Sequence, residues 1–275
     1  MTTSIAGVIA AKGLVNNSGK VNCFVLAPAS GQVNWEVGEN GISGDSDFMV
    51  SNYKSETATA TIIAATNFTI AATITNNRLL VLNTSNTVGE PCTITIGNGL
   101  AGLISGVGGV QTLGSGKVLF NSVSTFGNEL GLYGTSTVAM NSGCRPGNGV
   151  VHANAGAAFE IAKSGTVTLN GNLTLDSETT LVYNFTERTN PPVLALAEGK
   201  SVVFTEGAST NIAVKVSGDV WPTGGEKVLT TCGGFNAEIV SLAAGAPKWA
   251  SGLTVNGDGN IVLSVKPKPM VIVVR

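Results

Sequence analysis

Three pairs of acidic residues have types and spacings that could support chemistry. They are Asp45 with Asp47, Glu36 with Glu39, and Asp176 with Glu178. Two residues apart on a β-strand, carboxylates share a face, where they could bind calcium or act on a glycosidic bond. Asp45 and Asp47 lie beside a glycine and are the calcium candidates, although few other oxygen donors are near them in sequence. We expect a solvated turn there and no catalytic residue or cofactor in this chain.

His152 is the single histidine of the 275 residues, so a histidine-based nucleophile system or zinc site has little support. We expect His152 to be an ordinary turn or strand residue. The four cysteines, Cys23, Cys92, Cys144 and Cys232, are far apart and form no C-x-x-C pair. Unpaired thiols are the favoured interpretation, and one or two disulfides between stacked coils are the alternative.

Three tryptophans, Trp35, Trp221 and Trp249, could stack on sugar rings, because an indole offers a broad apolar face. Packing within the ends of the fold is the competing interpretation, and we favour it. Asp258 lies in N-G-D-G-N, which partly matches a calcium loop but lacks the distal glutamate, so a hairpin turn is predicted over 255–261. The glycines of 106–116 lack the Gly-Lys-Ser/Thr ending and the helix of a phosphate-binding loop.

The composition is apolar and weakly charged, with 43% hydrophobic residues, 12% charged residues and a net charge of −2. No basic field is present to attract nucleic acid or an anionic membrane, so neither partner is expected. The apolar runs are far shorter than the roughly 20 residues that a transmembrane helix needs. The segment 1–15 makes a poor signal peptide, because no basic residue precedes its apolar stretch. We favour an export signal that was removed, and an intracellular chain is the alternative.

Short strand-like segments separated by Gly, Asn and Ser occupy most of the chain, whereas helix signals are nearly absent. From about residue 67 to 218 these segments recur, which is typical of a solenoid with roughly 20 to 25 residues per coil and six or seven coils. The sequence therefore predicts an all-β, right-handed parallel β-helix over 56–218. Residues 1–55 are predicted to form an N-terminal cap or irregular first coils, and residues 219–275 a closing module with a β-hairpin.

Two segments, 102–122 and 165–185, share a glycine-punctuated pattern: I-S-G-x-G-G followed by G-x-G, and G-x-x-T-L-x-G-N-L-T-L. The matching residues are Ile104, Ser105, Gly106, Gly108, Gly109, Gly114, Gly116, Leu119, Gly165, Leu169, Gly171, Asn172, Leu173, Thr174 and Leu175. At these positions the chain resembles the autotransporter-associated β-strand repeat of bacterial passenger domains. The resemblance spans roughly 97–265 and departs from the family's Asn-Thr-Tyr turn at 124–128. We expect no outer-membrane barrel within the 275 residues.

The resemblance implies a secreted or cell-surface passenger-like β-solenoid. The function predicted from the sequence is structural or adhesive and non-enzymatic, with surface glycans or matrix as partners. Polar faces of Thr and Asn would supply many weak contacts that act together. A carbohydrate-active β-helix enzyme, either a lyase or a glycosidase, and a self-assembling fibre subunit are the alternatives.

The C-terminal sequence KPKPMVIVVR ends in an apolar, β-branched stretch after two prolines. Such a stretch is prone to aggregate when it is left as a free edge. We predict that 270–274 pairs as a terminal strand, either on its own solenoid or on a neighbouring copy. An export or anchoring signal is the alternative.

Overall fold

The computed structural model describes residues 8–16, 23–26, 32–44, 48–51, 59–86, 88–99, 103–205, 207, 209–216 and 220–269. Within these ranges all regular structure is β-strand, and no helix is long and apolar enough to span a membrane. The predicted terminal strand 270–274 and the calcium candidates Asp45 and Asp47 lie outside the described residues.

The strands are short because turn residues interrupt the chain every few positions. In chain order they are β1 (Val8–Asn16), β2 (Cys23–Leu26), β3 (Gln32–Gly44), β4 (Phe48–Ser51), β5 (Thr59–Ala64), β6 (Phe68–Ile70), β7 (Ile74–Asn76), β8 (Leu79–Asn83), β9 (Thr93–Ile96), β10 (Ile104–Ser105), β11 (Gly109–Leu113), β12 (Lys117–Phe120), β13 (Leu130–Leu132), β14 (Thr137–Met140), β15 (Val151–Ala153), β16 (Ala158–Ile161), β17 (Gly165–Leu169), β18 (Leu173–Leu175), β19 (Thr179–Phe185), β20 (Pro192–Leu196), β21 (Val202–Phe204), β22 (Thr210–Val216), β23 (Gly225–Val228), β24 (Val240–Leu242), β25 (Ala250–Val255) and β26 (Ile261–Val265).

Parallel pairing between successive coils builds three faces. The first face stacks β1, β3, β5, β8, β11, β13, β15, β18 and β21. The second face begins at the far end of β3 and continues through β6, β9, β12, β14, β16, β19, β22 and β24. The third face stacks β2, β4, β7 and β10, and farther along it pairs β17 with β20. Because β1 and β3 extend across the corner, the first two faces form one sheet of 17 strands.

The chain is therefore a parallel β-solenoid, and the predicted fold class is confirmed. From β5 to β21 the first face makes six turns, in line with the predicted coil number. The turn length is irregular, because Thr61 pairs with Val81 and Val81 pairs with Gln111, so the second of these turns is half as long again as the first. The right-handed winding predicted from the sequence is the hand that parallel crossovers adopt in nearly all proteins.

Inward-facing residues repeat in register from coil to coil and make columns along the core. On the first face one column runs through Leu80, Val110, Leu130, Val151 and Leu173, all essentially inaccessible to solvent. Alternation of apolar and polar residues along each strand places one set inside and the other outside. Each buried aliphatic side chain contributes about 1.5–3 kcal/mol to stability, so the columns hold the coils together.

Glycines occupy corners where the backbone of one coil touches the backbone of the next. A Cβ atom on Gly171 would overlap the carbonyl oxygen of Gly149, and one on Gly149 would overlap that of Asn128. Since carbonyl oxygens of the main chain cannot rotate away, larger residues at these two positions would push adjacent coils apart. At these two corners, the glycines of the sequence are therefore positions where the main chains of successive coils are in close contact.

One corner between β8 and β9 carries a closed loop. The amide of Cys92 donates to the carbonyl of Thr84 at 2.6 Å, which brings the two ends of the loop together. Within the loop, the side-chain oxygen of Asn86 accepts from the amides of Val88 at 3.1 Å and Glu90 at 2.9 Å. The loop is therefore held by its own hydrogen bonds, and Val88 at its tip is 80% exposed.

The C-terminal strands make a separate antiparallel sheet in which β26 pairs with both β23 and β25. Val255 pairs with Ile261, so the predicted hairpin over 255–261 is confirmed. The Trp249 ring packs edge-on against Phe185 of the second face, with ring centres 5.2 Å apart. The amide of Leu229 donates to Ile261, and its carbonyl accepts from the third-face strand β20. This sheet therefore packs against the last coils of the solenoid.

We predict that Gly171→Ala lowers the free energy of unfolding by about 1–3 kcal/mol, because overpacking has effects of that size. Gly252→Ala is the matched control, since a Cβ atom there meets nothing within 4 Å, and it should change stability by less than about 0.5 kcal/mol. Urea unfolding monitored by circular dichroism measures both values. Equal stability of the two variants would show that the corner contact does not constrain the coils.

Candidate functional site

The outer side of the first face carries a line of residues that the coil register places next to one another. Gln111, Gly131, His152 and Thr174 are partners on four successive coils. Their strand neighbours on either side are buried, so these four positions face outward. Residues that are far apart in sequence thus share one short stretch of surface.

His152 lies between two carboxylates from the coils before and after its own. Its Nε2 atom is 3.1 Å from Asp176 Oδ1, and its Nδ1 atom is 3.8 Å from Glu129 Oε1. An ionised carboxylate only accepts hydrogen bonds, so Nε2 donates to Asp176. All three side chains remain partly exposed, at 26% for His152, 23% for Asp176 and 40% for Glu129. The cluster is therefore accessible from the solvent.

A groove of about 530 Å³ lies next to this cluster on the same face. Gly108 and Gly109 form the floor of the groove. Because glycine has no side chain, the space between Leu79 on the preceding coil and Glu129 on the following coil stays open. The Tyr133 ring lies over Gly131, since its Cε2 atom would be 2.6 Å from a Cβ atom at that position. Glycines thus create both the depression and the flat position of the aromatic ring beside it.

The second face carries a polar surface that we call the Thr/Asn ladder, made of Asn40, Asn67, Thr69, Thr93 and Thr95. These side chains and Glu39 line a shallow groove of about 390 Å³. Thr69 and Thr95 are register partners, and Asn67 Oδ1 accepts the amide of Thr93 at 2.7 Å. Similar hydroxyl and amide groups therefore recur at the spacing of the coils.

Farther along the second face, an ion pair connects two coils. Lys117 Nζ is 2.8 Å from Glu160 Oε2, although a whole strand, β14, lies between β12 and β16. The Glu160 side chain is 4% exposed, whereas Lys117 is 34% exposed. A buried carboxylate requires a charged or hydrogen-bonding partner, so Lys117 stabilises the position of Glu160.

The three tryptophans considered for glycan stacking pack against the core. Trp249 is 4% exposed and contacts Phe185, so its faces are covered. Trp35 and Trp221 are half-buried against the core, and the Trp221 indole donates to the carbonyl of Lys266 at 2.9 Å. This geometry fits packing near the ends of the chain. On the first face, Tyr133 is an aromatic residue that lies beside a groove.

The structure separates the two members of the sequence pair Asp176 and Glu178. Asp176 follows the last residue of β18, and Glu178 has a left-handed backbone, with φ of 59°, in the turn before β19, so the two carboxylates do not share a strand face. Asp176 instead meets His152 and Glu129. Asp258 lies in the hairpin turn, where its amide donates to Asn256 at 3.1 Å. No group of three or more His, Cys, Asp or Glu side chains in the described part of the chain is arranged for a metal ion.

Cys92, Cys144 and Cys232 are free thiols among the side chains that the structure describes, and that of Cys23 lies outside them. Burial raises the pKa of Cys232 to about 11. The pKa values of Cys92 and Cys144 are also raised, chiefly by burial. The thiolate, which is the nucleophile, is therefore scarce at neutral pH at all three positions.

We predict that Lys117→Met destabilises the fold by about 2 kcal/mol, because it removes the Lys117 ammonium group from its contact with the buried Glu160 carboxylate. Lys117→Met combined with Glu160→Gln should recover at least half of that loss, and Glu160→Gln alone is the control. Urea unfolding at pH 7 measures the three values. A double variant that is no more stable than Lys117→Met would mean that the ion pair is not the cause.

We also predict slow alkylation of the thiols by iodoacetamide at pH 8, with Cys232 the slowest, because a pKa of about 11 leaves about one thiolate in a thousand. Raising the pH to 9.5 should accelerate the reaction at Cys232 by more than tenfold. Mass spectrometry of peptides resolves each position. Faster labelling at Cys232 than at the less buried Cys144 would contradict the expected order.

Comparison of the chain with protein-family models, with curated proteins and with solved structures finds no match.

Proposed function

We propose that this protein is a non-enzymatic, structural or adhesive β-solenoid, secreted or displayed at a cell surface, that binds glycans of a surface or matrix. The observation that carries the proposal is the register of outward polar side chains, which places like groups on successive coils. Thr69 with Thr95 on the second face is one such pair. Ser85 with Ser115, whose hydroxyls are 3.2 Å apart, is another.

Stacked polar side chains suit a ligand that is itself a repeating polymer. Adjacent parallel strands are about 4.8 Å apart, so hydroxyls at register positions, such as those of Thr69 and Thr95, lie at about that interval. One such contact is weak, because a net hydrogen bond contributes only about 0.5–1.5 kcal/mol. Many contacts made together give useful affinity, as do many copies of the protein on one surface.

A surface location and a passenger-like origin complete the proposal. The resemblance to the autotransporter-associated β-strand repeat supports both. The chain has only 12% charged residues, and the low charge content fits a surface solvated by Thr, Ser and Asn, which is common in extracellular β proteins.

A carbohydrate-active enzyme is the second candidate, and one observation favours it. Glu129, His152 and Asp176 converge from three coils beside the groove on the first face. Glycosidases use two carboxylates near the scissile bond, and a histidine can act as a general acid or base. The two candidates differ in a measurable way, since only an enzyme shortens its glycan.

We predict that a tetramer of the protein, assembled on streptavidin through a single biotin, binds polysaccharide-coated biosensors at least a hundredfold more tightly than the monomer, since linked weak sites reinforce one another. Thr69→Ala combined with Thr95→Ala should reduce tetramer binding. Thr166→Ala combined with Thr168→Ala, two exposed threonines of β17 on the third face, is the matched control. Equal binding by monomer and tetramer, or an unchanged ladder variant, would contradict the proposal.

The enzymatic alternative is tested with the same polysaccharides. Incubation followed by chromatography should release no oligosaccharides from a panel of plant, algal and host glycans. Release that is lost in Asp176→Asn but retained in Asp258→Asn, whose carboxylate lies in the distant hairpin, would replace the adhesive function with a catalytic one.

A further inference from the structure

We propose that the groove on the first face is a discrete binding site for a ring of a neutral saccharide. This proposal deepens the glycan-binding role proposed above, because it names a ligand class and a site separate from the Thr/Asn ladder. The volume of about 530 Å³ lies within the range of about 300–1,000 Å³ that is usual for small-molecule sites.

The floor of the groove is main chain. At Gly108 and Gly109 no side chain stands between the ligand space and the sheet, so a flat molecule can approach the backbone. Gly108 is fixed by the preceding coil, because a Cβ atom there would overlap the carbonyl of Arg78. At Gly109 the nearest atom to an added Cβ is the carbonyl oxygen of Glu129, at 3.3 Å, so a methyl group there would press on the main chain of the following coil.

The walls combine an aromatic ring with polar groups of both charges. Tyr133 lies at one side, held over Gly131, while Gln111 presents an amide from the middle of β11. Arg78 and Glu129 also line the groove and contribute opposite charges. A carbohydrate ring has one face of C–H groups that packs on an aromatic ring, and hydroxyls at its edge that hydrogen-bond to amide, guanidinium and carboxylate groups.

The balance of charge selects among sugars. An anionic uronate would be attracted by Arg78 but repelled by Glu129, and a cationic amino sugar would experience the reverse. A neutral ring is repelled by neither residue and can use both as hydrogen-bond partners. A charge-assisted hydrogen bond is roughly twice as strong as a neutral one, so both charged side chains add to the affinity for hydroxyls.

The site is tested by saturation-transfer NMR and calorimetric titration of the full chain. The neutral probes are maltose, lactose, cellobiose and mannobiose, and the charged probes are digalacturonate and the glucosamine dimer. We expect at least one neutral disaccharide to bind more tightly than either charged one. Tyr133→Ala and Gln111→Ala should each weaken that binding about tenfold, since each removes one wall contact. Gly109→Ala, which adds only a methyl group to the floor, should weaken it as well.

Leu113→Ala is the matched control, because Leu113 is 37% exposed on the same strand and same side but does not line the groove. Binding unchanged in both Tyr133→Ala and Gln111→Ala, tighter binding of a charged probe, or no binding of any neutral disaccharide would overturn the proposal. If Tyr133→Ala does not fold, Gln111→Ala decides the question. Polysaccharide binding that depends on Thr69 and Thr95 while the groove binds no disaccharide would remove this site and leave the proposed function intact.

Discussion

The main-chain hydrogen bonds between successive coils are the interaction on which everything else in this protein depends. Each coil of the solenoid donates to and accepts from its neighbours along parallel strands, which holds the backbones about 4.8 Å apart. At that spacing a corner has room for glycine and for little else, as at Gly149 and Gly171. The same spacing forces like positions into columns. Inside, the columns become the apolar core, and outside they become rows of hydroxyls, amides and paired charges.

The sequence was sufficient to predict the fold class because that class depends on local patterns. Alternating apolar residues and glycine turns predict short strands, and the N-G-D-G-N hairpin depends only on residues close together in the chain. The register was not predictable, because one turn of the solenoid can be half as long again as the turn before it. Any site composed of residues from different coils depends on that register.

The candidate site on the first face shows what could not be predicted from the sequence. Glu129, His152 and Asp176 lie in separate coils, and nothing in their sequence surroundings connects them. Asp176 and Glu178 looked like a pair, but the left-handed turn at Glu178 separates them from a common strand face. The position of Tyr133 beside a groove could not be predicted from the sequence, because it depends on the nearby Gly131 and on residues of another coil. The tryptophans were easier to interpret, since large indoles pack into a core more often than they remain exposed.

The self-contained loop between β8 and β9 has an evolutionary and practical consequence. Its two ends, Thr84 and Cys92, are joined by a backbone hydrogen bond. Within the loop, the side-chain oxygen of Asn86 accepts hydrogen bonds from the amides of Val88 and Glu90. Ser85, beside the base of the loop, also contacts Ser115 of the next coil, with the two hydroxyls 3.2 Å apart, so the base of the loop is anchored to the solenoid while its tip at Val88 is exposed. Such a corner can accept a longer insertion at low entropic cost, since loop closure grows only slowly with length. A solenoid of this kind can thus acquire new recognition loops one corner at a time, and an engineer could graft a foreign peptide at Val88 for display.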